Sequence, residues 1–595
     1  MKTDSDKLTR LVRYFEETEY NTQEARQNAE RDRDYFDGHQ WSADEIAELK
    51  RRKQPVIVIN RIRRLINFLK GLESQGATDP KAFPRTPKDE GGAHAATDAL
   101  RYVEEKENLD AKLEKCWEEF LIEGSCAVEV TVEPRGNDYD IVVKRWAWDR
   151  SFIDIHSKEP GGSDARFMGG VIWMDLDEAE ERWTKAADAF ATMMNEGTLS
   201  DTFDDKPAHA IWADPVRKRV RVVQMYYQER GKWHWCLFTK STELESGEVP
   251  YVDQDGDSEN PMKYASAYID RENRRYGAVR DMISPQDEIN KRRSKLLHQL
   301  NMRQTLGEQG AVKDIVRMKS ELAKPDGHVT INPNMRFELV QNNDQIAGQA
   351  QLLQEAKGEI DGMGPNAALA GRGTEDQSGR AIVAQQQGGL VEIAPLRNQF
   401  LAFKREIYRA IWNRVKQYWT AEKWIRVTDD ENAPRFVGLN VPVTRGQVEL
   451  AQLQQMGVTG DALQRAQMIA QYAPEMQQVL GVENNVTELD VDIIIEATPD
   501  TVTAAQEQFD TLARLAEGGV PIPPNVLIEA APGLRNKERL LEMMSGGDNP
   551  EAAQKQQVAE QLQFADAEAE VRKKNASAMK DEATAAEKMA QPIYQ

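Results

Sequence analysis

SPQDEINKRRSKLLHQL, residues 284–300, opens the stretch that organises this chain and that continues to Trp419. Ser284 is suited to cap a helix, and Pro285 would then take the first helical position. A second helix is predicted from about Gln345 to Met363. Apolar residues recur near helical spacing in both helices. The remaining surface of the first helix is basic, with Lys291, Arg292, Arg293 and Lys295, and that of the second helix is acidic, with Glu355 and Glu359. The pattern predicts two helices joined by an insert, after which the second helix brings the chain back beside the first.

The sequence MGPNAALAGRGTEDQSGRAI follows at residues 363–382. Gly, Pro and Asn dominate its first half, which is typical of a loop. Thr374 and Gln377 fit a capping box for the next helix, which is predicted to run toward Trp419. Gly388, Gly389 and Pro395 lie inside that helix, and proline removes a helical hydrogen bond, so a kink is predicted there.

This order of helix, insert, helix, loop and long helix resembles that of a tailed-bacteriophage portal protein, of the long type found in short-tailed phages. Three further motifs agree with the resemblance: YFDGHQW at 35–41, RRKQPVIVIN at 51–60 and DVDIIIEATPDTVTAAQEQF at 490–509. No single motif is as specific as a set of metal ligands. Their order, which covers most of the chain, carries the resemblance.

The composition bounds the function more loosely. A chain of 595 residues exceeds one hydrophobic core, so two to four domains are expected. The net charge is 77 − 99 = −22, which argues against a surface built to grip nucleic acid, because such binding relies on Lys and Arg. A channel that DNA crosses without adhering remains compatible with this charge. Simple solubility explains it equally well.

The three cysteines, Cys116, Cys126 and Cys236, lack metal-site spacing and indicate a reducing compartment. The first residues have no apolar core of a secretory signal, and no apolar run approaches the ~18 residues of a membrane helix. Synthesis in the host cytoplasm and no contact with a membrane are therefore expected.

The rest of the chain is predicted to be a mixture of helices and strands. A charged helix covers residues 1–35, Ser42 with Glu45 caps a second helix, and Asn60 caps a third that ends at Gly71. Hairpins are predicted at 126–143 and 216–239, with a short strand at Val56–Ile59 and a strand with a buried Ile-Ile-Ile run at 488–496. Residues 79–92 and 241–263 are predicted to be loops. The aromatic residues of the second hairpin predict either cross-strand packing or a stacking platform for single-stranded nucleic acid.

The fold class expected is α+β, mostly helical and ring-forming, and the resemblance implies the following regions. The wing covers 1–275, stem helices 276–304 and 344–363 flank a clip at 305–343, and a tunnel loop covers 364–373. A long kinked helix (374–420), wing strands (421–500) with a helical insert (447–480), crown helices (501–549) and a C-terminal helical tail or barrel (550–595) complete the chain.

No enzyme is expected, since the sequence contains no phosphate-binding GxxxxGK[ST] motif, no HExxH metal motif and no GxSxG nucleophile motif. No cofactor or metal is expected either. Asp490, Asp492 and Glu496 form one acidic cluster. It predicts either a two-metal nuclease site or, more simply, the solvent face of a strand.

The resemblance implies a homo-oligomeric, dodecameric ring at one capsid vertex of the virion, through which double-stranded DNA is packaged and ejected. The implied partners are the large terminase subunit, head-to-tail adaptor and tail proteins, and the major capsid and scaffold proteins. Asn366, Leu369 and Arg372 would lie on the tunnel loop, with Arg372 facing DNA. The basic stem residues would meet Glu355 and Glu359 of a neighbouring subunit, or some of them would face the channel and touch DNA phosphates. Alternatives are a packaging-associated nuclease and a minor capsid or scaffold protein.

Overall fold

The computed structural model describes residues 4–75, 78–136, 138–196, 212–301, 304–324, 326–340, 343–362, 379–428, 434–456, 461–497, 509, 511–516 and 522–531. The chain forms two compact units, one of residues 1–427 with 434–497 and the other of 428–433 with 498–595. In the second unit the described part includes a short helix, Pro524–Ala530. The α+β class is confirmed, with helices and several small sheets in the first unit.

The first third of the chain begins with helices. In chain order the elements are α1 (Asp4–Asn21), α2 (Gln23–Asp37), α3 (Ala43–Arg51), α4 (Arg61–Gln75), β1 (Thr78–Pro84), α5 (Glu90–Glu107) and α6 (Leu109–Ile122). Both predicted caps are confirmed: Ser42 Oγ accepts from the Glu45 backbone N–H, and Asn60 Oδ1 accepts from the Arg63 backbone N–H at 2.9 Å. The prediction that α4 ends at Gly71 is wrong, because Leu72 still packs on the main core and the helix continues.

Two sheets form most of the region between residues 125 and 266. They are built from β2 (Ser125–Arg135), β3 (Asp138–Trp146), β4 (Ser151–Ile153), β5 (Phe167–Asp175), β6 (Ala213–Asp214), β7 (Arg219–Glu229), β8 (Lys232–Phe238), β9 (Glu243–Glu248) and β10 (Met262–Ser266), with α7 (Leu176–Arg182) and α8 (Ala187–Glu196) between β5 and β6. One sheet has the order β10-β2-β3, and the other has β4-β5-β7-β8-β9 with β6 on β7. Both predicted hairpins are confirmed. Tyr226 and Tyr227 are buried, which favours cross-strand packing over a stacking platform.

Two predicted loops contain strands. The stretch 241–263 includes β9 and the start of β10, and 79–92 includes most of β1 and the start of α5. β1 pairs antiparallel with β19 (Val491–Ala497), with Ala82 opposite Ile493. Ile493 and Ile495 are buried but Ile494 is 43% exposed, so the predicted buried run of three isoleucines is wrong. Alternation of side chains along a strand explains the difference.

The remaining elements lead to and from the long helix. They are β11 (Tyr268–Ile269), β12 (Arg275–Tyr276), α9 (Val279–Asn301), β13 (Gln304–Gly307), α10 (Ile315–Leu322), β14 (Phe337–Val340), α11 (Asn343–Gly362), α12 (Gly379–Tyr418), β15 (Lys423–Thr428), β16 (Pro434–Leu439), β17 (Val441–Thr444), α13 (Arg445–Gln455), α14 (Asp461–Tyr472) and β18 (Val479–Glu483). The helical insert predicted at 447–480 corresponds to α13 and α14, and β17 pairs with β18 at its base.

The main core forms around the second half of α12. Phe400 of this helix lies 4.8 Å from Trp117 of α6, measured between ring centroids, and Trp412 is fully buried. The stretch from Phe400 to Trp419 is therefore a central element of the first unit.

A buried carboxylate on α2 gives a pH-dependent prediction. Asp32 is 1% exposed, its nearest cation is Arg31 at 3.7 Å, and burial raises its pKa to about 6. Because this value exceeds the ~3.9 of an unfolded aspartate, folding favours the protonated acid, and this benefit is lost as the pH rises through about 6. Asp32→Asn should therefore raise the free energy of unfolding by roughly 2 kcal/mol at pH 7.5 and by little at pH 4.

Denaturant unfolding at both pH values measures this difference. Asp37→Asn, at an exposed position on the same helix, is the matched control and should change stability equally at both pH values. A gain in Asp32→Asn that is the same at pH 4 and pH 7.5 would contradict the prediction.

Candidate functional site

The helix α9 begins before its predicted cap, Ser284, although within the range 276–304 predicted for the first stem helix. α9 starts at Val279, so Ser284 is not its cap and Pro285 lies inside it. An interior proline costs about 3 kcal/mol. Val279, Met282 and Ile283 are buried against the main core, and burial of each contributes on the order of 1.5–3 kcal/mol, which offsets that cost.

α9 and α11 pack against each other along an apolar seam. Its buried members come from both helices: Ile289 and Leu296 from α9, and Leu353, Ala356 and Ile360 from α11. The helices form a hairpin, because β13 and β14, which follow α9 and precede α11, pair antiparallel. The predicted pair of helices around an insert is thus present in the structure.

A buried polar row joins this hairpin to the N-terminal region. Gln286, Asn290 and Ser294 recur every four residues on α9 and are buried. Gln286 Nε2 donates to the Ile59 carbonyl at 2.8 Å, and the Ile59 N–H donates to Asn290 Oδ1 at 3.0 Å. These amide side chains take the place of a neighbouring strand, which explains why Val56–Ile59, predicted to be a strand, has no strand partner. Sequence reasoning missed this contact, although polar residues at i+4 spacing were a visible signal.

The four predicted basic residues of α9 differ in their contacts. Lys291 lies 3.1 Å from Glu45, and Arg292 pairs with Glu288 on its own helix. Arg293 and Lys295 are exposed and make no ion pair with another described residue. Glu355 and Glu359 of α11 are likewise exposed, with no ion pair among the described residues. The hairpin therefore presents unmatched charges of both signs.

The insert between the helices is small and carries much exposed apolar surface. Within 304–324 and 326–340 only Ala311 and Met318 are buried hydrophobic residues. The exposed hydrophobic residues of this insert are Leu306, Ile315, Val316, Ile331, Met335, Leu339 and Val340. The residues 329–331, predicted to be a strand, form none. So many exposed apolar side chains on a small insert favour a role in contacts with other proteins.

The predicted tunnel-loop residues Asn366, Leu369 and Arg372, and the capping residues Thr374 and Gln377, lie outside the described residues. Gly388, Gly389 and Pro395 lie within α12, which is one helix of 40 residues. The kink between them stays a prediction. Val391, between these positions, is exposed.

The acidic cluster has a structural explanation. Arg85 contacts Asp492 Oδ1 at 2.6 Å and Asp490 Oδ1 at 3.2 Å. Hydrogen bonding from Arg85 lowers the pKa of Asp492. The side chain of Glu496 lies outside the description, and among the described residues no group of three or more His, Cys, Asp or Glu side chains is placed to hold a metal ion. This arrangement favours a surface ion pair over a nuclease site.

A helical hairpin with an apolar tip and unmatched charges, built on an α+β body, is the architecture of a subunit that assembles with other chains. Comparison with known families identifies the kind of subunit. The model of the Phage P22-like portal protein family matches residues 12–588, and the chain belongs to that family. The portal protein of Helicobacter pylori bacteriophage KHP30 is 19% identical over 419 residues. That match covers 68% of this chain but 66% of the relative, just under two thirds of its length. Of the helices in the described ranges, none is long and apolar enough to cross a membrane.

Proposed function

We propose that twelve copies of this chain close into a ring, whose channel lies at one vertex of the capsid. Double-stranded DNA enters through it during packaging and leaves through it at ejection. The observation that carries the proposal is the α9–α11 hairpin. One chain offers two unmatched cations on it, Arg293 and Lys295, and two unmatched acids, Glu355 and Glu359, so the cations of one copy can pair with the acids of the next. A cyclic ring needs such a heterologous interface, repeated until it closes.

The regions expected from the sequence take roles in this proposal. The hairpin is the stem, and its apolar insert, 305–343, is the clip that docks the large terminase subunit and later the adaptor and tail proteins. The α+β body is the wing, facing the major capsid and scaffold proteins. Residues 501–549 and 550–595 form the crown and a C-terminal tail or barrel. Assembly takes place in the host cytoplasm, and the mature location is the portal vertex of the virion.

The channel is expected to repel duplex DNA weakly rather than bind it. The net charge of −22 means that acids outnumber the cations that could contact phosphates. Arg372 on the tunnel loop supplies one guiding cation per subunit in this proposal. It acts by transient contact with phosphates as DNA passes.

Arg372→Ala should leave ring formation unchanged and reduce the amount of DNA packaged or retained several-fold. Native mass spectrometry and two-dimensional class averages of the purified protein measure the ring, and the DNA content of assembled heads measures packaging. Arg397→Ala is a control for the loss of one arginine, since Arg397 is on the part of α12 that packs on Glu73 of its own chain. Normal packaging by Arg372→Ala would remove this residue from the proposal, whereas the absence of closed rings in the wild type would contradict the channel itself.

A further inference from the structure

The most basic part of this acidic chain lies beside the stem. Residues 49–72 contain eight basic residues and no Asp or Glu, in a protein of net charge −22. The eight are Lys50, Arg51, Arg52, Lys53, Arg61, Arg63, Arg64 and Lys70. Such a reversal of charge over a short stretch is a feature that the proposed ring does not explain.

The middle of this basic stretch, Pro55–Asn60, is held along one side only. The Ile57 carbonyl accepts from Trp41 Nε1 at 3.0 Å, and both backbone polar groups of Ile59 bond to Gln286 and Asn290. The bonded residues are thus two apart. That period is the period of an extended strand, in which successive residues direct their N–H and C=O groups to opposite sides.

The other side of the segment is open. Neither the N–H nor the C=O of Val56 or Val58 has a hydrogen-bond partner among the described residues, and the two side chains are 38% and 39% exposed. Unpaired backbone groups beside exposed valines form a template for the addition of a strand. Natural proteins usually protect such an edge from pairing with other chains.

Cations stand at both ends of this edge. Lys50 and Lys53 precede it and are exposed, and Lys53 takes a left-handed backbone conformation, φ 56°, that closes α3. Arg51 and Arg52 share one acid, Glu48. Arg64 follows the edge, is exposed, and makes no ion pair with another described residue. The positive charge around the edge is therefore mostly uncompensated.

We propose that the open edge at Val56–Val58 binds an extended, acidic segment of a second protein, which adds to it as a strand. The backbone groups of Val56 and Val58 would pair with the segment, and the flanking cations would attract its carboxylates. A protein segment fits better than nucleic acid, because phosphates need neither the alternating backbone groups nor the exposed valines. This site is separate from the stem charges, so it does not depend on ring closure.

The test uses the full-length chain and a fluorescent peptide, Glu-Val-Glu-Val-Glu-Val-Glu, with binding followed by anisotropy. Val58→Pro removes the open N–H donor but disturbs no bond seen in the structure, and proline also favours an extended residue before it. Val58→Ala keeps the donor and is the matched control. We expect Val58→Pro to weaken binding at least tenfold and Val58→Ala to weaken it less than threefold. Replacing Lys50 and Lys53 together by Glu should also weaken it at least tenfold.

Four results with the peptide would overturn the proposal, and so would a fifth that compares unassembled chains with rings. They are no binding by the wild type, equal binding by Val58→Pro and Val58→Ala, equal binding of a Glu-Pro-Glu-Pro-Glu-Pro-Glu peptide, which lacks the N–H donor at every second residue, and displacement of the peptide by a 20-base-pair duplex at lower concentration than by free peptide. Binding to unassembled chains that disappears in rings would assign the edge to a neighbouring copy, which also contradicts a second protein as its occupant. Ring formation itself is scored separately by native mass, so failure of the ring and failure of this site are distinguishable.

Discussion

Reversal of both unmatched acids of the stem, Glu355→Lys with Glu359→Lys, is expected to abolish closed rings. Each exposed ion pair contributes under ~1 kcal/mol, but its reversal replaces attraction by repulsion, so two pairs change each interface by roughly 2–4 kcal/mol. Such a change weakens one interface about 30- to 1,000-fold. Because a ring repeats its interface around the whole circle, assembly should fail while the monomer stays folded. Native mass spectrometry gives the oligomeric state, and circular dichroism reports the fold.

The control has the same change in charge at a different place. Glu133→Lys with Glu488→Lys alters two exposed acids away from the stem and should leave ring yield unchanged. Adding Arg293→Glu and Lys295→Glu to the reversed stem should restore rings, since both sides of the interface then carry exchanged charges. Wild-type ring yield from the reversed stem alone would show that these acids do not face a neighbouring subunit.

Loss of the Glu259 carboxylate is expected to destabilise the core side of α12 severely. Glu259 pairs with Arg414, whose side chain is fully buried, and with Lys263 at 2.6 Å. Burial alone would raise the pKa of Glu259, but these two cations outweigh it and lower that pKa. Glu259→Leu leaves the Arg414 guanidinium buried without a counter-charge, which should cost about 3–5 kcal/mol in the free energy of unfolding. Denaturant unfolding and hydrogen exchange of α12 amides measure the loss.

Two further variants separate this explanation from a general effect of leucine. Glu406→Leu removes an exposed pair with Arg409 on the same helix and should change stability by less than ~1 kcal/mol. Glu259→Leu combined with Arg414→Met removes both charges of the Glu259–Arg414 pair and should recover most of the loss. If the single Glu259→Leu variant is as mild as Glu406→Leu, the buried pair does not have the role assigned to it.

Features set by residues close together in the chain could be predicted from the sequence. The Ser42–Glu45 capping box and the Asn60 cap are local, because a side chain bonds to a backbone group three residues away. The hairpin turn at Arg230–Gly231 is also local: both residues have positive φ, 53° and 80°, and glycine adopts such values at little cost. The order of helix, insert and helix, which carried the family resemblance, followed from the same kind of pattern.

Contacts between distant residues decided the rest. Residues 79–84 have the composition of a loop, yet they form β1 because β19, more than 400 positions later, supplies their hydrogen bonds. Ser284-Pro285 looked like the start of a helix, but burial of Val279, Met282 and Ile283 moved the start of α9 six positions earlier than Pro285. Likewise, Val56–Ile59 is predicted to be a strand, but the backbone of Ile59 bonds to the amide side chains of Gln286 and Asn290 on α9 and not to a neighbouring strand. The sequence by itself determined the local elements and their order. Only the tertiary structure decided which backbone groups were paired and which were left open, since that depends on what each segment packs against.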